Sequence, residues 1–207
     1  MLARSQFADV DHQITALRDR LYTYPLSKLN KLHACLTSFQ IPFKFSSRWQ
    51  TAVIKNLQEL LKQNTYNIIH FEYSHAAVYL DFIKQQVNST QTKTVISIHD
   101  VVSQSFLRKA ESNFILGIEL ARVFHYEKTL YSTANELWVL SKKDRDILTS
   151  LFSIPEEKVI VKPPKFSKFI YQVKRHSEKI EKKSLLFWGA MNRPENEEAI
   201  LTTEVPC

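Results

Sequence analysis

YNIIHFEYSHAAVYLDFIKQQVNSTQTKTVISIHD, residues 66–100, is the stretch on which the fold turns. It opens on a short run of β-branched and aromatic residues bounded by polar ones, the pattern of a strand. SHAAVYLDFIKQQV (74–87) then reads as a helix with Ser74 placed as its N-cap. KTVISIHD (93–100) reads as a second strand. A strand, a helix and a strand in so short a span make a βαβ unit, which implies parallel strands and a right-handed crossover.

The alternation continues downstream. VSQSFLRKAES (102–112) starts a short helix. FILGIELARVFHYEKTLYSTA (114–134) is a long one, with an apolar face through Leu116, Leu120, Val123, Phe124, Tyr131 and Ala134. ELWVLS (136–141) is a third strand. SKKDRDILTSLF (141–152) is a helix opened by Ser141, with Asp144 at the capping-box position. EKVIVKPP (157–164) is a fourth strand stopped by Pro163 and Pro164. SLLFWGAM (184–191) is a fifth, and RPENEEAI (193–200) begins another helix with Pro194 in its first turn. The fold class this predicts is α/β: a Rossmann-like parallel sheet with helices on both faces, as the near-continuous apolar strands require. Upstream the pattern is weaker. DVDHQITALRDRLYTY (9–24) and RWQTAVIKNLQELLKQN (48–64) read as helices, the second with a stripe through Trp49, Val53, Leu57, Leu60 and Leu61. Between them lies an irregular stretch around Pro25 and Pro42.

Composition narrows the function. Gly117 and Gly189 are the only glycines, against a usual share of about 7%. No phosphate-cradling loop of the Walker or dinucleotide type can be written with two, which argues against ATPases, GTPases and NAD-dependent dehydrogenases. The two cysteines, Cys35 and Cys207, form no metal spacing and suit a reducing compartment, so a cytoplasmic location is expected. No apolar run approaches the roughly 18 residues of a membrane span. The N-terminus has no apolar core of a signal peptide. The net charge is +7, with an excess concentrated between Lys162 and Lys183. That run could make weak contact with an anionic membrane, or be a solvated linker in which Glu178 and Glu181 are interspersed. It lacks the aromatic interleaving of a specific nucleic-acid binder.

In a parallel sheet, ligands bind beyond the carboxyl ends of the strands. Those ends carry His70, Glu72, Tyr73 and His75, then His99 and Asp100, then Ser141, and in the fifth strand Gly189, Asn192 and Arg193. His70 and Glu72 share a face by the period of two. With His75, His99 and Asp100 they could hold a metal in a hydrolase, satisfy each other at the strand ends, or face a polar substrate. His99 could orient a hydroxyl-bearing ligand or shape a turn, and Asp100 could contact a ligand or cap the next helix. Glu119 and Glu127, on the long helix, read as solvated or helix-pairing. Ser141 reads as a cap, not a nucleophile, because no G-x-S-x-G surrounds it. Gly189 lets the backbone turn tightly into a helix start beside Arg193, which suits a diphosphate or is a plain βα turn.

Taken in order, YNIIHFEY, TVISIHDVVS, FHYEKTLYSTANELWVLSKKDRDIL, EKVIVKPP and LLFWGAMNRPENEEAI resemble the family 4-like glycosyltransferases of the GT-B fold, over roughly residues 50 to 200. The resemblance implies two Rossmann-like domains across a cleft, the first receiving the acceptor and the second a nucleotide-sugar donor, with no cofactor and no metal. It implies a catalytic role for His99 and a donor-diphosphate contact at Arg193; the strand-end positions add substrate contacts at Glu72, Tyr73, His75 and Asp100 and a donor contact at Gly189. The expected organisation is an acceptor-side domain over 1–164, incomplete at its N-terminus, a basic linker over 165–183 and the start of a donor domain over 184–207. The family's opening strand and its pair of donor-holding glutamates have no counterpart here. LTTEVPC (201–207) looks like out-of-frame coding, so the expectation is a truncated enzyme, inactive alone. A non-catalytic domain that keeps the acceptor-side fold is the alternative.

Overall fold

The computed structural model describes residues 21–25, 28, 40–110, 114–165 and 172. The chain divides into one unit over Met1–Pro164 and a second over Lys165–Cys207, and every element below belongs to the first. The linker, the fifth strand, the helix after it, and with them Gly189 and Arg193, lie outside the described residues. So does most of the expected first helix. Its end, residues 21–24, is not helical.

The elements run α1 (Phe43–Ser46), α2 (Thr51–Gln63), β1 (Ile68–Glu72), a 3-10 turn (Ser74–Tyr79) leading into α3 (Leu80–Gln86), β2 (Lys93–Ile98), α4 (Val102–Ala110), α5 (Phe114–Thr133), β3 (Glu136–Val139), α6 (Lys142–Leu151), a 3-10 turn (Glu156–Lys158) and β4 (Val159–Val161). The four strands form one parallel sheet in the order β1-β2-β3-β4. This is the α/β class and the sheet that the alternation predicts.

Strand order equal to chain order has a geometric consequence. Each crossover steps the same way, and each is right-handed, so α3, the α4–α5 pair and α6 fall on one face. Burial agrees. Phe71, Thr94, Ile96, Ile98, Leu137, Val139 and Val159 point to that face and are buried with Leu80, Ile83, Val123, Leu130, Tyr131, Leu148 and Phe152 from the helices. Each large apolar side chain so removed from water contributes about 1.5–3 kcal/mol. On the opposite face the registers align His70 with Val95 and Glu136, and Glu72 with Ser97, Trp138 and Ile160. There Ile68 is 56% and Ile160 38% exposed. The apolar strands predict helices on both faces, but among the described residues the crossover helices lie on the first face only, and the second is a mixed stripe on which Val95 is buried and Ile68 and Ile160 are exposed.

Ser141 caps α6 as expected: its hydroxyl accepts from the Asp144 amide at 3.1 Å and donates to the Asp144 carboxylate at 2.6 Å. One local reading changes. Ser74 caps nothing. Its segment is a 3-10 turn before it is a helix, and its buried hydroxyl lies 3.0 Å from the Tyr131 hydroxyl. Of the two readings of Glu127, solvated or helix-pairing, the second is the one seen: Glu127 is wholly buried and accepts from the Val102 and Ser103 amides of α4. The seam of α5 runs Val123, Glu127, Leu130, Tyr131, Ala134, so the helical period continues through a carboxylate where the apolar pattern skips. Among the described residues no helix is long and apolar enough to cross a membrane.

Candidate functional site

β1 and β2 are adjacent and parallel, so their carboxyl ends open side by side. Glu72 is the last residue of β1, and the His99 ring reaches across to it. Nε2 of His99 lies 2.5 Å from Glu72 Oε1. A carboxylate accepts only, so Nε2 donates to it, and in the neutral ring the other nitrogen is then the acceptor. The second oxygen of Glu72 lies 3.5 Å from His70 Nε2, which also meets the Ser97 hydroxyl at 2.7 Å. The His70 ring packs at 4.8 Å against Trp138, and Lys162 sits over the same indole, 2.9 Å from its centroid.

Tyr73 covers the His99 ring, with centroids 4.1 Å apart and planes inclined by 26°. Its backbone reaches this place at φ 71°, ψ 144°, a region that favours glycine and costs another residue roughly 1–3 kcal/mol. The strain is held by the hydrogen bond from the Tyr73 amide to the Ser97 carbonyl, 3.1 Å, and by the 3-10 turn that starts at the next residue. Backbone held in a sparsely populated conformation tends to mark functional loops.

Beside this cluster is a cavity of about 480 Å³ lined by Arg48, Glu72, Tyr73, His75, Ala76 and Asp100. Its size falls in the range of small-molecule sites. Four of the residues expected to contact substrate, Glu72, Tyr73, His75 and Asp100, line it together. His99 does not line it but touches two residues that do, bonded to Glu72 and stacked on Tyr73. His75 stacks on the buried Phe45 at 5.3 Å. Burial lowers the pKa of His75 below its ordinary value, and the nearby Lys44 and Arg48 charges add to this against the opposing pull of Asp100. Among the described residues no three His, Cys, Asp or Glu side chains are grouped as metal ligands. The Nε2 atoms of His70 and His99 are both turned to one carboxylate instead.

Arg48 carried no functional signal in the sequence, where it reads as the start of the helix over 48–64. α2 begins only at Thr51, and Arg48 lies in a turn before it, in a segment fastened by separate contacts. The Phe43 amide donates to Glu119 at 2.7 Å, and the Tyr79 hydroxyl donates to the Arg48 carbonyl at 2.6 Å. Trp49 stacks on Tyr79, and Phe45 packs on Tyr126. A cation and two carboxylates around one opening can hold a polyhydroxylated or anionic ligand through charge-assisted hydrogen bonds.

No curated protein and no solved structure matches the chain. The model of Glycosyltransferase Family 4 matches residues 7–164, which takes in every described element and most of the 207 residues. The parallel α/β sheet is consistent with that match, and the chain belongs to glycosyltransferase family 4.

Proposed function

We propose that the Met1–Pro164 unit is the acceptor-binding half of an enzyme that moves a sugar from a nucleotide-activated donor to an acceptor hydroxyl. The observation that carries this is the cavity at the strand ends, with Arg48, Glu72, Tyr73, His75 and Asp100 on its walls and His99 bonded to Glu72. In the reaction the bond from the sugar's anomeric carbon to the diphosphate breaks, and its electron pair leaves on the phosphate oxygen. A bond to the acceptor oxygen forms, and the acceptor loses its hydroxyl proton. Glu72 and Asp100 accept hydrogen bonds from ligand hydroxyls, and His99, its tautomer set by Glu72, takes up or relays the proton. The donor diphosphate falls to Gly189 and Arg193, on the pattern of a tight turn and a helix start.

The low cysteine content supports a cytoplasmic setting. The Lys162–Lys183 run supports a weak contact with anionic lipid, which co-sedimentation with phosphatidylglycerol vesicles at low and high salt would show. Binding is tested by calorimetry of the 207-residue chain against a panel of nucleotide-sugars, free sugars and polyols. Arg48→Ala and Asp100→Asn should each weaken a bound acceptor at least tenfold, about 1.4 kcal/mol. A panel in which no hydroxyl-rich compound binds, or in which binding ignores both substitutions, overturns the assignment.

A further inference from the structure

The two loops that carry the site lead back to a single buried group. Ser74 directly follows Tyr73, and its hydroxyl lies 3.0 Å from the Tyr131 hydroxyl. The Tyr131 hydroxyl donates to Glu127 Oε1 at 2.7 Å. Val102 and Ser103 begin the helix just after His99 and Asp100. Their amides donate to the two oxygens of the same carboxylate, at 2.7 and 2.9 Å. Glu127, Tyr131, Ser74, Val102 and Ser103 are all buried. The Tyr131 proton is spent on Glu127, so Ser74 donates to the Tyr131 oxygen and the chain of bonds has one direction.

A buried carboxylate is a costly way to cap a helix. Burial pushes the Glu127 carboxyl up, against the hydrogen bonds that pull it down. The residue in the cap position of α4 is Val101, whose side chain has no acceptor. Asp100, one residue earlier, lines the cavity, and the first amides of α4 are taken by a residue from another helix. The same residue, through Tyr131, reaches the loop after β1. We propose that Glu127 is a positioning residue: by tying the loop after β1 and the loop after β2 to one point, it sets the Tyr73–His99 stack and the His99–Glu72 bond. Calling that arrangement a site rests on the function proposed above, but the geometry can be tested with no sugar present.

The chain is labelled with 15N-histidine, and the ring nitrogens and protons are recorded for wild type, Glu127→Gln, Tyr131→Phe and Ser74→Ala. Gln puts an amide NH2 against a backbone N–H, and Phe cuts the link to Ser74 while leaving both amide bonds. In wild type the His99 ring should show a single tautomer, with Nε2 protonated, and an upfield ring-current shift from Tyr73. Glu127→Gln should mix the tautomers and remove at least half of that shift. Tyr131→Phe and Ser74→Ala should move it the same way by less. Leu148→Ala, a buried residue outside the network, serves as a destabilised control and should leave the His99 signals in place below its melting point. If Glu127→Gln does not fold, the Tyr131 and Ser74 variants decide. His99 signals unchanged in folded network variants, or moved equally by Leu148→Ala, overturn the proposal.

Discussion

His75 is half-buried against Phe45, with Lys44 and Arg48 near it, and its folded pKa is lowered from 6.5. A histidine depressed in the folded state adds stability above its unfolded pKa and takes it away as pH falls through the folded one. The wild type should therefore lose more melting temperature between pH 7.5 and 5.0 than His75→Asn does, as thermal unfolding followed by circular dichroism would show. Equal losses would mean that His75 is not disfavoured as a cation. Tyr73 makes a second test at this scale. At φ 71°, glycine relieves backbone strain of about 1–3 kcal/mol that alanine keeps. Tyr73→Gly should thus be more stable than Tyr73→Ala in urea, although both lose the stack on His99. Much of the site was legible residue by residue. Glu72, Tyr73, His75, His99 and Asp100 follow directly from strand period and from where parallel strands end. Arg48 was not, because it reads as the start of a helix that begins only at Thr51, and its segment is held at the cavity by contacts with Tyr79, Glu119 and Tyr126 among others that no local pattern encodes.

Elements formed where their local chemistry and their tertiary neighbours agreed. Ser141 and Asp144 cap α6 from both directions, and Ser141→Ala should cost about 1 kcal/mol of unfolding free energy, measurable by urea titration. A value indistinguishable from zero would assign the helix start to packing alone. Ser74 shows the opposite outcome. It stands where a cap would stand, after a strand and before an apolar helix, yet Tyr131 offers its hydroxyl a buried partner and the backbone takes a 3-10 turn. Glu127 escaped a reading by periodicity for a related reason. A carboxylate on a helix is solvated by default, and the amides that justify its burial lie on α4, far back along the chain.

Across the whole molecule, strand order sets what a substitution costs. Ile96 and Ile68 are both strand isoleucines, but Ile96 points to the helix-covered face at 0% exposure and Ile68 to the other at 56%. Ile96→Ala should cost about 2–5 kcal/mol, and Ile68→Thr less than about 0.5 kcal/mol. Chemical denaturation of the pair would decide, and similar costs would mean that both faces are covered. The same order has a kinetic side. Among the described residues each strand after β1 pairs with the one made just before it, so from β2 onward each strand finds its partner already delivered by the ribosome. β2 can close on β1, β3 on β2 and β4 on β3 in the sequence of their synthesis, each closing only the loop of its own crossover. Hydrogen exchange on ribosome-bound chains of increasing length should find protection at Phe71 and Ile96 before Val161, with the newest edge of the described sheet the last to settle.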